Sequence, residues 1–143
     1  KRGMFADNAY VVFQGMLVLL AALMTWFMVD LRVRATWGEE SAVYARVEQR
    51  FLASGISPEV GVIVVNPPGY YISSGRPAVA LPYGDETVIL QVAERYGVGL
   101  LVLEADGTFE AVQELYNNPG GNAAFEYLGE VDEAKLYRIV LEP

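Results

Sequence analysis

The side chains able to do chemistry in this 143-residue chain are carboxylates, tyrosines, arginines and two lysines, Lys1 and Lys135, because it contains no histidine and no cysteine. That excludes a serine–histidine or cysteine–histidine nucleophile pair, a thiolate redox centre and an ordinary zinc or haem site. Carboxylate chemistry remains: two acids held close can divide general acid and base work, or bind Mg²⁺ or Ca²⁺. Asp85-Glu86 precedes an apolar-periodic run, where exposed backbone N–H groups and the helix dipole favour negative charge, so capping accounts for it. Asp132-Glu133 beside Lys135 reads as a solvated hairpin tip. Glu104 and Asp106 follow an apolar strand signal and fall at a strand's carboxyl end, the edge where α/β sheets place ligands. They are the better candidates for a site, against the competing reading of Asp106-Gly107 as an ordinary turn. No metal centre and no cofactor is expected from these pairs.

A second constellation lies upstream. Asn66-Pro67-Pro68-Gly69 follows an apolar run, with Tyr70, Tyr71 and Arg76 close behind. Proline ends a strand ladder and restricts the residue before it, so one reading is a crossover loop pinned by a single arginine. The other is a contact surface for a sugar or a lipid phosphate, in which Arg76 grips an anion bidentately. The structural reading is preferred, and the candidate ligand-binding set is Asn66, Tyr70, Tyr71, Arg76, Glu104 and Asp106. Asn118-Pro-Gly-Gly-Asn122 lacks a preceding strand and the Lys-Ser/Thr ending of a phosphate loop, so it reads as a flexible loop.

The elements that must hold these residues begin with an apolar helix. No charge occurs from Asn8 to Val29, and these 22 positions reach roughly 33 Å, enough for a hydrocarbon core of about 30 Å. Tyr10 and Trp26 sit near the two ends, where amphipathic rings settle at a membrane interface. A transmembrane helix over residues 9–29 is expected, after a flank over 1–8. Gly15, Ala21 and Ala22 allow close approach of other membrane helices or subunits, and Gln14 offers them a hydrogen bond. Lys1 and Arg2 before the span balance Arg32 and Arg34 after it, so basic residues do not set the orientation. A start at Lys1 rather than methionine fits a segment cut from a longer protein.

An interfacial connector over 30–38, with Trp37 on the headgroup layer, leads to an α/β domain over 39–143. Val43, Val47 and Phe51, flanked by Tyr44 and Leu52, predict an amphipathic helix over 39–54 that Gly55 stops. Val60–Val65, Ala78–Leu81 and Val98–Leu103 read as strands, with a helix from Thr87 to Tyr96 capped by Asp85 and closed by Gly97. Thr108 is expected to cap another helix reaching Tyr116. Phe125–Val131 and Ala134–Leu141 read as a final hairpin. The order points to an α/β sandwich, a mixed sheet with a C-terminal hairpin. Ten basic against eighteen acidic residues argue against a nucleic-acid partner, which needs clustered Lys or Arg.

The runs Val62–Asp85, Ala93–Glu104 and Ala134–Val140 resemble the C-terminal extracytoplasmic domain of bacterial membrane glycosyltransferases of the GT-C superfamily. The likeness is nearest to family 39 and the dolichyl-phosphate-mannose protein mannosyltransferases, and covers residues from about Glu39 to the end. It implies a last span of the bacterial cytoplasmic membrane followed by a small outer α/β domain, an N-terminus on the cytoplasmic side, and a polyprenyl-phosphate sugar as donor. The family's catalytic acid sits in an outer loop between early membrane helices, with no counterpart here, so this chain alone is not expected to transfer sugar. Three roles follow: the terminal segment of such a transferase, aiding acceptor or donor recognition; a single-pass accessory subunit of a larger respiratory or photosynthetic complex; or a receptor binding a small ligand in a polar pocket near Asn66 and Glu104.

Overall fold

The computed structural model describes the backbone of residues 3–30 and 35–141 and the side chains of residues 9–30 and 41–141. The chain divides into two compact units, Lys1–Glu39 and Glu40–Pro143. The first holds helix α1, Gly3–Met28, whose stretch Ala9–Met28 has a mean hydropathy of 2.1 and no buried residue. By length and composition it is able to cross a membrane, and it is the one such helix among the described residues. Lys1, Arg2, Arg32 and Arg34 and the side chain of Trp37 lie outside the described residues.

Helix α2, Ala35–Ala53, begins four residues before the expected start at Glu39, so the second half of the expected connector is helical. A single glycine such as Gly38 costs a helix only about 1 kcal/mol, and the good helix formers beside it offset that. Gly55 ends this region at φ 75°.

The second unit is an α/β fold built on a mixed five-stranded sheet in the order β2-β1-β3-β5-β4. Strands β1 (Gly61–Val64), β2 (Ala78–Ala80) and β3 (Val98–Leu103) are parallel; β4 (Phe125–Val131) and β5 (Ala134–Ile139) form an antiparallel hairpin docked on β3. Strands β1 and β3 are apolar at every position because helices cover both faces. Val62, Val64, Leu100, Val102 and Leu136 point to the layer of Tyr44, Val47 and Phe51 on α2. Ile63, Leu101, Leu103, Tyr137 and Ile139 point the other way, to Ile89 and Ala93 of α4 (Glu86–Tyr96) and Leu115 of α5 (Gln113–Asn117).

The Pro67-Pro68 stretch departs from the expected loop. It opens helix α3, Pro67–Ser74, with Asn66 as its cap: Oδ1 of Asn66 accepts from the Gly69 N–H at 3.1 Å. Proline suits the first helical position, where its missing N–H has no partner to lose. The expected turn at Asp106-Gly107 is a 3₁₀ turn, Ala105–Gly107, and the helix expected from Thr108 is replaced by a second 3₁₀ turn, Glu110–Val112, and the short α5. The Thr108 hydroxyl donates back to the Glu104 carbonyl at 2.6 Å instead of capping forward.

Candidate functional site

Topology selects one edge of the sheet. The chain leaves β1 for β2 through α3, whose Tyr70 belongs to the α2 layer, and returns to β3 through α4 on the opposite face. The sheet therefore reverses its winding between β1 and β3, and the carboxyl ends of strands at such a reversal are the usual ligand position in open α/β sheets. Asn66 follows β1 and Glu104 follows β3, both half-buried. The Tyr44 hydroxyl donates to the Glu104 carboxylate, at 3.1 Å to Oε1 and 3.4 Å to Oε2. Asp106 is exposed on the 3₁₀ turn that follows. This edge presents a carboxylate held by a tyrosine and an asparagine carboxamide whose Oδ1 accepts from the Gly69 N–H.

The other predicted residues separate from it. Tyr70 is fully buried, Tyr71 is 58% exposed on the outer side of α3, and Arg76 is 1% exposed. Arg76 does grip a carboxylate bidentately, that of Glu48: Nε to Oε2 and Nη2 to Oε1, each 2.7 Å. Nη1 of Arg76 donates to the carbonyls of Ser57 and Val60, also at 2.7 Å. The Phe51 ring lies 5.6 Å from the guanidinium carbon. The Tyr70 hydroxyl completes the network at 3.1 Å from Glu48 Oε2. Burial, and then the neighbouring Glu48 charge, push the Tyr70 hydroxyl far above the ordinary phenol range, against a smaller opposing pull from Arg76. These three residues knit α2, α3 and the approach to β1, and leave Arg76 no free face for a ligand.

Glu48 and Tyr44 complete these two clusters, and neither is in the predicted set. Glu48 had a signal, since Tyr44, Val47, Glu48 and Phe51 occupy the i, i+3, i+4, i+7 positions of one buried helix stripe. A carboxylate in that register requires a cation, and the 25 residues from Val60 to Gly84 contain one, Arg76. Among the carboxylate pairs, Asp85 acts as a cap, accepting from Thr87 N at 3.0 Å and Val88 N at 3.2 Å, while Glu86 bonds the Asn122 amide. Asp132 at the hairpin tip pairs with Arg46 at 2.6 Å, both half-exposed. No group of three or more potential metal-ligating residues occurs among the described residues. On α1, Gln14, Gly15, Ala21 and Ala22 are exposed, and 100° per residue places them on one side of the helix.

What fold and site define is a class: a doubly wound α/β unit carrying a polar strand-end edge, preceded by one apolar helix. Comparison with family models, curated proteins and solved structures returns no match for this chain.

Proposed function

We propose that this chain is a membrane-anchored α/β module that acts by docking and recognition. Helix α1 spans the bacterial cytoplasmic membrane, and the second unit lies on the extracytoplasmic side. The observation that carries this is the Ala9–Met28 stretch, apolar all round and with no residue buried. A long helix with no core to cover it is stable where lipid is the solvent. The Gln14, Gly15, Ala21 and Ala22 side of α1 meets other membrane helices, and the module serves recognition of acceptor or polyprenyl-phosphate-sugar donor in a glycosyltransferase of the GT-C type. Catalysis belongs to other parts of that assembly.

A second reading, an accessory subunit of another membrane complex, is favoured by the commitment of Arg76. The one cation in the Val60–Gly84 run is spent on Glu48, which leaves that run without a charged group for a donor phosphate. An upstream reading frame encoding further spans supports the transferase; a start codon shortly before Lys1 supports the subunit. Docking through α1 is tested by Gln14→Leu with Gly15→Leu. Membrane helix contacts of this type contribute about 1 kcal/mol, so association should weaken several-fold. The readout is the fraction of chain migrating in a larger complex on native gels from mild detergent. A wild-type chain that always migrates as a lone monomer contradicts the proposal.

A further inference from the structure

The unit Glu40–Pro143 is strongly acidic, with fifteen Asp and Glu against six Lys and Arg. That charge is unevenly spread along the chain. Between Val60 and Gly84 the one ionisable Asp, Glu, Lys or Arg side chain is Arg76, and it is buried against Glu48. Strand β1, helix α3 and edge strand β2 therefore put no charge on the surface they form. Helix α3 is the outer element of this region, and it turns Tyr71 (58% exposed) and Ile72 (83% exposed) away from the core that Tyr70 enters. Among the described residues, none of the unit's side chains encloses them. Ser73 of α3 meets Ser41 of α2 at 3.0 Å between hydroxyl oxygens. Ser41 is thirteen residues beyond Met28, and with Ala35 onward helical the chain between them reaches at most roughly 34 Å.

We propose that the outer face of α3, carrying Tyr71 and Ile72, rests in the interface of the membrane that α1 enters. The proposal rests on the anchored reading above. Three physical terms select this face. Carboxylates elsewhere on the unit lose hydration on approaching the bilayer, whereas α3 has no charge to desolvate. Tyrosine and isoleucine gain at the headgroup boundary, the first through an apolar ring with a polar tip, the second through its apolar surface. A tether this short holds the face at high effective concentration near the bilayer, so two side chains suffice where a free protein would need a larger patch. Docking this way would fix the strand-end edge at Asn66 and Glu104 at a defined height above the lipid, where a lipid-borne ligand is presented.

The chain contains no cysteine, so Ile72→Cys creates a unique labelling site at an exposed position where folding is not at stake. Gln91→Cys on exposed α4, in the opposite layer, is the control. Each full chain is labelled with an environment-sensitive fluorophore and reconstituted into phosphatidylcholine vesicles. The expected result is a blue-shifted emission at position 72, quenched by nitroxide-bearing lipid and protected from aqueous iodide, with the label at 91 showing the reverse. Vesicle-bound chain with an iodide-accessible label at 72 overturns the proposal. Protection from iodide without quenching by nitroxide lipid overturns it too, in favour of a protein partner on α3. Chain that fails to bind vesicles at all defeats the anchored reading itself, and this inference with it.

Discussion

At Arg76 and Glu48, two charges sit in the interior because each supplies what the other's burial requires. The pair is bidentate, and the remaining Arg76 contacts go to backbone carbonyls of Ser57 and Val60. Removing one member leaves the other charged and enclosed, which typically costs about 3–5 kcal/mol. Glu48→Ala should therefore lose stability of that order in denaturant unfolding of the full chain in micelles; a loss below about 1 kcal/mol would mean the pair is solvated. Tyr70 adds a pH dependence. Its burial, and that of Tyr137, holds both phenols above their ordinary value of about 10 in the folded chain. The folded state thus keeps protons that the unfolded state releases first. Their contribution is fully present below pH 10 and is lost as pH rises beyond it toward the folded values. Unfolding midpoints should be level through neutral pH and fall above pH 10, and Tyr70→Phe should make that fall shallower. The partner of Arg76 was legible at this scale only in part, since Glu48 lies 28 residues away and betrays itself solely by its place in a buried stripe.

Among the elements, helix α4 shows how local chemistry sets an end. Asp85 satisfies two N–H groups that the first turn leaves unpaired, and Gly97 closes the helix at φ 64°. Asp85→Ala should cost about 1 kcal/mol, visible as a lowered thermal midpoint, with Asp85→Ser restoring most of it. Strands β1 and β3 and the final hairpin were readable because apolar runs and turn residues report burial directly. Helix α3 was not, because Pro67-Pro68 fits the end of a strand as well as the start of a helix, and the capping Asn66 ahead of them is what selects the helix. Thr108 misled in the opposite sense. A hydroxyl can serve the turn behind it as readily as the one ahead, and only the fold around Glu104 decides between them. The strand-end edge was half legible: Glu104 and Asp106 follow from strand order, whereas Tyr44 arrives from α2, sixty residues away.

For the molecule as a whole, the central claim is a division of solvent. Unit Lys1–Glu39 offers an apolar helix that no core covers, and unit Glu40–Pro143 is an acidic α/β fold with its own two-sided core. The strand-end edge, the α3 face and the Gln14 side of α1 acquire their proposed roles only if α1 is dissolved in lipid. The most direct measurement is flotation of the purified full chain with phosphatidylcholine vesicles, followed by alkaline carbonate extraction. The account predicts that the chain floats with the lipid and stays there after extraction, and that without lipid or detergent it aggregates. A chain that remains in the aqueous fraction, monodisperse and free of amphiphile, would contradict it.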